Sequence, residues 1–250
     1  MKVLVIASQK GGTGKTTTAA AVGCWAVGHG IRTVAVDLDP QGSLTQILGG
    51  NGTLPGAYEF MKGAPVEETV QTIEKMPDLI PASLQLAGAE NEFSTRPGRD
   101  FLLGRALEAV GNRWELCVLD TPPTQGTLLI NALTAADEVV IPLQADTFAM
   151  QALSQLLDTI GQVQKYCNQY LTVAGVLLTR FNQRTLLTRE IAEDLKNRCA
   201  SLGIKVFDPI REGIALKESQ SGKKSLFAYA SGSKPAQDYH AFITQLLAAK

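Results

Sequence analysis

The sequence predicts an α/β fold with a doubly wound, mainly parallel sheet. Short runs rich in β-branched residues recur along the chain, and segments with helical patterns separate them. The runs are continuously apolar, whereas strands with one exposed face alternate between apolar and polar residues. Continuous runs suit strands that are buried on both faces of a sheet. Their alternation with helices therefore predicts a layered α/β architecture.

Six strands and two helices can be placed in order. The strands are predicted at residues 3–7, 33–38, 116–119, 139–141, 173–178 and 204–207. The last helix has an apolar stripe at helical spacing, which predicts one buried face. This stripe consists of Tyr239, Phe242, Ile243, Leu246 and Leu247. An earlier helix repeats Leu187, Ile191 and Leu195 every four residues, with Arg189, Glu193 and Lys196 left to face water. The Gly- and Pro-rich segment 49–65 is predicted to be a connection with a short helix.

Length and charge limit the organisation of the chain and its partners. The chain has 250 residues, and single α/β domains often reach this length, so we expect residues 1–250 to form one domain. The formal net charge is −1, which creates no overall field that would attract nucleic acid or an anionic membrane. Any such partner must therefore be bound by a local patch.

Cysteine usage and hydropathy indicate a cytoplasmic protein. The four cysteines form no CxxC pair, so neither a zinc knuckle nor a disulfide framework is expected. The uncharged stretches at residues 16–31 and 121–136 are shorter than the roughly 20 residues of a membrane span, and Thr, Gly and Pro interrupt them. The apolar run near the N-terminus, residues 3–7, is shorter than the roughly 7–15 residues of a signal peptide.

A glycine-rich segment, QKGGTGKTT at residues 9–17, follows the first strand and opens a helix. Glycines in this context let backbone N–H groups turn towards phosphates, and the helix N-terminus adds positive potential. Lys15 would contact the β- and γ-phosphates of a nucleotide, and the Thr16 hydroxyl would bind Mg²⁺. The usual GxxxxGK[ST] pattern fails, because Gln9 stands where it requires glycine, and a second lysine, Lys10, flanks the glycines. The alternative is a plain turn with Lys10 as a solvated loop residue.

Carboxylates follow two other predicted strands. Asp37 and Asp39 lie at the end of the second strand, at the sheet edge where doubly wound folds bind ligands. Either acid could instead cap the helix predicted at residues 43–48. The apolar run 116–119 ends in Asp120, which is the form of a Walker B segment whose carboxylate holds Mg²⁺ through water.

Residues 10–17 and the segment DLDPQG at residues 37–42 resemble the ParA/MinD group of P-loop ATPases with a deviant Walker A box, and within it the ParA/Soj branch. The resemblance implies that Lys10 crosses a nucleotide-sandwich dimer to the partner's ATP, and that Asp39 positions the attacking water. It makes Lys10, Lys15 and Asp39 the catalytic candidates, with Mg²⁺ held by Thr16 and Asp120. The implied nucleotide contacts are Lys10, Gly11, Gly12, Thr13, Gly14, Lys15, Thr16, Thr17, Asn182 and Pro209.

Two further features concern the base. Guanine-specific members of related families carry an Asn-Lys-x-Asp run, and this chain has no Asn-Lys dipeptide, so ATP is favoured. By resemblance Asn182, which follows the fifth predicted strand, contacts adenine, and Pro209 packs near the base. The amide of Asn182 offers both a donor and an acceptor, but an ordinary turn residue is an equal alternative.

The segment 180–224 carries a net charge of +4, and the rest of the chain −5. This asymmetry suits non-specific contact with the phosphates of double-stranded DNA, although a solvated helix face explains it equally well. ParA dimers bind DNA without sequence preference, so the resemblance favours DNA. The family's common Pro-Arg-Asn run is replaced here by DPIRE at residues 208–212. The candidate DNA contacts are Arg211, Lys217, Lys223 and Lys224.

The resemblance therefore predicts a partitioning ATPase of the ParA type. It would dimerise on ATP, bind DNA on the nucleoid, hydrolyse ATP slowly with Mg²⁺ and respond to a ParB-like partner. The alternative is a positioning or regulatory adaptor that uses the same switch, as MinD does at membranes. No stable membrane association is expected, because the last apolar stripe is predicted to pack in the core.

Overall fold

The structure is a computed structural model that describes residues 1–248. Its seven strands are β1 (Lys2–Ile6), β2 (Thr33–Asp37), β3 (Asp78–Ile80), β4 (Leu116–Asp120), β5 (Glu138–Gln144), β6 (Thr172–Thr179) and β7 (Val206–Phe207). They form one sheet in the order β3-β2-β4-β1-β5-β6-β7, and every neighbouring pair is parallel. The predicted doubly wound α/β fold is confirmed.

Helices connect the strands and cover the sheet. They are α1 (Lys15–Gly28), α2 (Ser43–Leu48), α3 (Ala57–Met61), α4 (Val66–Thr69), α5 (Leu86–Ser94), α6 (Leu102–Ala109), α7 (Thr127–Ala135), α8 (Ala149–Tyr166), α9 (Leu186–Ser201), α10 (Ile214–Ser221), α11 (Leu226–Ala230) and α12 (Lys234–Ala248). The short helix predicted within residues 49–65 is α3. Within residues 1–248, none of these helices combines the length and the apolar character needed to cross a membrane.

All six predicted strands are present, and their ends differ from the prediction by at most three residues. The seventh, β3, was not predicted. It contains three residues, pairs along one side with β2, and is too short to show a periodic pattern. Leu79 and Ile80 are nevertheless fully buried, because helices cover the sheet at this position as well.

The core lies on both faces of the sheet. Val3 and Val5 of β1 belong to one buried cluster, and Leu4 and Ile6 belong to the other. Successive side chains of a strand point to opposite faces. Both faces therefore require apolar residues, which explains the continuous apolar runs in the sequence.

The two predicted helix stripes have different outcomes. In α12 four members of the stripe are buried and Leu247 is partly buried, as expected. In α9, however, Leu187 is 54% exposed, Ile191 is half-buried and only Leu195 of the predicted stripe is buried. The prediction was wrong for Leu187, because the line that packs on the sheet begins one turn later, at Ala192.

An aromatic cluster joins the C-terminal end of α1 to α12. The rings of Trp25 and His29 stack with their centroids 3.6 Å apart. The indole Nε1 of Trp25 donates a hydrogen bond to Nδ1 of His240 in α12 at 2.9 Å. Nearer the start of α1, the hydroxyls of Thr18 and Tyr239 are 3.1 Å apart in the core. Helix α12 is thus attached along much of α1.

We expect Phe242→Ala to destabilise the protein by about 3–5 kcal/mol, as truncation of a buried phenylalanine usually does. Phe242 is 1% exposed and packs edge-to-face on Phe207 with ring centroids 4.9 Å apart. Urea unfolding at equilibrium measures the change. Leu247→Ala in the same helix is the control and should cost much less, since Leu247 is only partly buried. Equal losses in the two variants would contradict this packing.

Candidate functional site

The loop between β1 and α1 forms an anion-binding cradle. Gly12 and Gly14 have φ angles of 77° and 84°, which favour glycine because a Cβ is strained there. Gly14 occupies the N-cap position of α1, so no side chain caps the helix, and the first turn contains no acidic residue. The first N–H groups of the helix are therefore available to an anion, which the helix dipole also favours.

A cavity of about 450 Å³ opens beside this loop. It is lined by Gly11, Gly12, Gly14, Lys15, Thr16, Thr17, Asp39, Ser43, Ile47, Pro123, Thr179, Arg180, Ile210, Glu212, Gly213, Leu216, Lys217, Gln220 and Tyr239. Most of the predicted phosphate-loop residues and Asp39 therefore share one cavity. Part of its wall is apolar, with side chains such as Ile210 and Leu216, and such a wall suits the flat ring of a nucleobase.

Lys15 is buried between the loop and the acidic residues. Its side chain is almost inaccessible, and its Nζ donates a hydrogen bond to the carbonyl oxygen of Lys10 at 3.3 Å. Burial lowers the pKa of Lys15, while the carboxylates of Asp120 and Asp39 oppose this effect. The negative charge of these two carboxylates thus favours the charged ammonium form of Lys15.

Asp120 is the least satisfied polar side chain of the site. It ends β4, is fully buried, and neither carboxylate oxygen has a hydrogen-bond partner in the described chain. Burial raises the pKa of Asp120 well above its ordinary value and the neighbouring Asp37 raises it further, while the Thr16 hydroxyl and the Lys15 ammonium group only partly oppose this rise. A buried carboxylate without a partner is costly unless a cation or donor compensates for it. Together with the hydroxyl of Thr16, this oxygen-donor set fits Mg²⁺.

Asp37 has a structural role in this arrangement. It lies opposite Asp120 in the register of β2 and β4. Its Oδ2 accepts hydrogen bonds from the backbone N–H and the hydroxyl of Thr45, both at 2.7 Å, near the start of α2. Burial raises the pKa of Asp37 to about 6 despite these bonds. Of the two readings that the sequence left open, the structure places Asp37 as a helix cap.

Asp39 is placed differently. It is half-buried on the cavity wall, and its Oδ1 accepts the N–H of Gln41 at 3.0 Å. Unlike Asp37, it has no bond to the N–H of a residue within α2 among the described contacts. Its side chain therefore keeps acceptor capacity towards the cavity.

Lys10 lies outside the cavity lining. Its Nζ forms an ion pair with the carboxylate of Asp146, which follows β5 in the same chain, and lies 5.5 Å from the ring centroid of Phe148. The side-chain amide of Gln144 donates to the carbonyl oxygen of Gly12 at 2.7 Å. Residues at the end of β5 thus hold the outer side of the phosphate loop.

The residues predicted to meet the base are displaced from the cavity. Asn182 is exposed, and its Oδ1 accepts the N–H of Arg184 at 3.0 Å, a contact typical of a turn. The cavity wall contains Thr179 and Arg180 in place of Asn182, and Ile210 in place of its neighbour Pro209. The apolar residues just after β7 were the sequence signal that could have identified this part of the wall.

The four basic candidates are not equivalent. The guanidinium of Arg211 binds both carboxylate oxygens of Asp238, so it is committed within the chain. Lys217 lines the cavity. Lys223 and Lys224 are exposed in the turn after α10 and form no ion pair within the described residues.

Comparisons with known proteins agree with this geometry. A family model described as an AAA domain matches residues 1–173. The sporulation initiation inhibitor protein Soj of Bacillus subtilis strain 168 is 40% identical over 243 residues, which are 95% of each chain. The chromosome partitioning protein ParA of Caulobacter vibrioides is 37% identical over 246 residues, 96% of this chain and 91% of that protein.

A solved structure is similar as well. The cobyrinic acid a,c-diamide synthase from Mycobacterium smegmatis, with a bound ATP analogue and magnesium, is 35% identical with a TM-score of 0.86. The match covers 99% of this chain and 94% of that one. From the curated relatives and the phosphate-loop geometry together, the chain belongs to the ParA/Soj family of P-loop ATPases.

Proposed function

We propose that this protein is a partitioning ATPase that dimerises on ATP, binds DNA without sequence preference and is reset by hydrolysis. One observation carries the proposal: an uncapped phosphate loop lies beside a buried carboxylate whose oxygens accept no hydrogen bond within the described chain. ATP and Mg²⁺ supply the anion and the cation that these two features require. The partitioning role is supported by the family to which the chain belongs.

The chain's residues would divide the work of hydrolysis. The loop N–H groups and Lys15 bind the phosphates, while Thr16 and Asp120 hold Mg²⁺. Mg²⁺ held by these two residues would supply electrophilic stabilisation of the phosphoryl oxygens. Asp39, with free acceptor capacity on the cavity wall, orients the attacking water towards the γ-phosphate.

Dimerisation would require Lys10 to leave Asp146 for the partner's ATP. Both side chains of this ion pair are about one-third exposed, at 32% and 33%, so the pair is accessible from solvent. A phosphate would replace the Asp146 carboxylate as the negatively charged partner of the Lys10 ammonium group. Large apolar residues are also exposed in the connections that follow β3, β5, β6 and β7, as expected for a surface that a second copy covers. They are Leu84, Phe148, Leu186, Leu187 and Ile214.

DNA binding is assigned to Lys223 and Lys224, because the other two candidates have partners or positions inside the molecule. Their turn packs against the C-terminal end of α2, since the side chain of Lys223 lies next to Gly49. Helix α2 begins four residues after Asp39. This contact is a route by which the nucleotide state could affect the basic turn. A ParB-like protein as activator and a location on the nucleoid belong to the same proposal.

A MinD-like adaptor at a membrane is the less favoured function. It would need an apolar helix face free to enter the lipid interface. The stripe of α12 packs instead on α1 and the sheet, with Phe242 and Ile243 buried.

Lys15→Ala should weaken ATP binding by about 10- to 100-fold, because the charge-assisted hydrogen bonds of one ammonium group are lost. Isothermal titration with a non-hydrolysable ATP analogue measures the affinity. Lys205→Ala is the control, since Lys205 contacts the ring of Phe207 away from the cavity. Unchanged affinity in Lys15→Ala would rule out the phosphate-loop assignment.

Asp39→Ala should trap an ATP-bound dimer, because binding and Lys10 exchange remain intact while the attacking water loses its acceptor. We expect hydrolysis to fall about 100-fold or more, within the 10²–10⁴ range of general acid–base catalysis. Light scattering after gel filtration with ATP measures the mass. Adding Lys10→Ala to this variant should restore the monomer. A monomeric Asp39→Ala protein at saturating ATP would contradict the cycle.

The double variant Lys223→Ala, Lys224→Ala should bind DNA more weakly at all sequences. Removal of two phosphate contacts should also reduce the slope of log affinity against log salt by about 2. Fluorescence anisotropy with a random duplex, in ATP and over a salt series, measures both. Lys196→Ala is the control for an exposed lysine elsewhere. DNA binding that is independent of nucleotide, or an unchanged slope in the double variant, would contradict the assignment.

A further inference from the structure

The start of α7 is capped by a side chain from another helix. Gly126 is the N-cap residue of α7 and offers no side chain, and the first turn of the helix contains no acidic residue. The carboxylate of Glu90 in α5 replaces both. Its Oε2 accepts the N–H of Thr127 at 2.6 Å, and its Oε1 accepts the N–H of Leu128 at 3.3 Å. An anion at this end of a helix is favourable, because it meets unpaired N–H groups and the positive end of the dipole.

Gly126 allows this contact through its lack of a side chain. A Cβ at this position would overlap the carboxylate oxygens of Glu90. The backbone of Gly126 has a φ of −102°, which any residue can adopt. Alanine at residue 126 would therefore displace the Glu90 carboxylate without straining the backbone.

The capped end of α7 is connected to the candidate metal site by six residues, 121–126. At its start this connection is attached to β1, because the Thr121 hydroxyl donates to the carbonyl oxygen of Ile6 at 3.0 Å. Near its end the side-chain amide of Gln125 donates to that of Gln9 in the phosphate loop. Pro123, between them, lines the cavity. A shift at the start of α7 would therefore reach both Asp120 and the phosphate loop.

The fold does not depend on Glu90 for the packing of either helix. Helix α5 is anchored by the buried side chains of Leu86, Ala89 and Phe93. Helix α7 has a second attachment through Asn131, whose Nδ2 donates to the carbonyl oxygen of Arg99 and whose Oδ1 accepts the N–H of Leu103. Substitution of Glu90 should therefore leave a folded protein.

We propose that Glu90 is a positioning residue for ATP hydrolysis, which fixes residues 121–126 from α5 so that Asp120 and the phosphate loop keep the spacing that Mg²⁺ and ATP require. The inference rests on the proposed role of Asp120 as the carboxylate that holds Mg²⁺. It assigns a specific task to the segment LAGAEN at residues 86–91, which contains Glu90. Helix α5 thereby contributes to the positioning of the hydrolytic site, although it lies outside the cavity.

Hydrogen exchange of the nucleotide-free protein tests the contact between Glu90 and the start of α7 without any bound ligand. We expect Glu90→Ala to increase amide exchange over residues 121–130 about tenfold or more, while the urea midpoint changes little. Gly126→Ala should have the same effect, because its Cβ displaces the same carboxylate. The double variant should be no worse than either single variant, as expected when two changes remove one interaction. Glu90→Gln should recover part of the protection, since its amide oxygen still accepts one N–H.

Steady-state hydrolysis then tests the positioning role. In Glu90→Ala and Gly126→Ala, the Mg²⁺ concentration for half-maximal hydrolysis should rise several-fold, with a smaller change in metal-free ATP affinity. Glu92→Gln is the matched control, because Glu92 lies in the same helix as Glu90. Its carboxylate binds Tyr58, Lys62 and Arg96, away from α7. Its exchange and Mg²⁺ dependence should equal those of the unmodified protein.

Two results would overturn the inference. One is unchanged exchange over residues 121–130 in Glu90→Ala. The other is faster exchange with an unchanged Mg²⁺ dependence, which would make Glu90 a helix cap and nothing more. Asp120→Asn separates this from the proposed metal site: if that variant keeps the original Mg²⁺ dependence, the role of Asp120 fails regardless of Glu90.

Discussion

The site depends on one electrostatic constraint, the burial of an acidic side chain without a hydrogen-bond partner at the end of β4. Asp120 lies where water is excluded, and its neighbours are another buried acid and a single buried ammonium group. Asp37 is satisfied by Thr45, so the unmet demand falls on Asp120 alone. Such a site is tolerated in a folded protein when a cation compensates for it. The sheet edge, the phosphate loop and Lys15 surround the Asp120 carboxylate.

The parallel sheet explains why these groups meet. Strands β1, β2 and β4 are neighbours in the sheet although about eighty residues separate the last two along the chain. Their carboxyl ends lie at one edge, so the phosphate loop, Asp37 and Asp120 converge there without any local sequence relation. Helix α5 contributes Glu90, which binds the start of α7 and so holds the segment that follows Asp120. The nucleotide site is thus supported by elements from the whole first half of the chain.

The sequence predicted features that are local and failed for those that depend on distant pairing. The phosphate loop and Asp120 were predictable, because each follows an apolar strand and carries its own short signature. Strand β3 was missed, because three residues cannot display a period. Arg211 is a candidate DNA contact by sequence, yet its guanidinium binds Asp238, which is 27 residues away, and no spacing rule links the two. Glu90 and Thr127 are 37 residues apart, so the cap of α7 was equally invisible in the sequence.

Helix α1 connects the phosphate loop at one end to the aromatic cluster at the other. Only two tryptophans occur in the chain, and Trp25 lies in this cluster between His29 and His240. The other, Trp114, precedes β4, and its indole Nε1 donates a hydrogen bond to Asp78 of β3, not to a residue of α1. The molecule therefore carries an intrinsic fluorophore near the C-terminal end of the helix whose N-terminus adjoins the phosphate loop. With Trp114 replaced by phenylalanine, indole emission becomes a label-free signal from that end of α1.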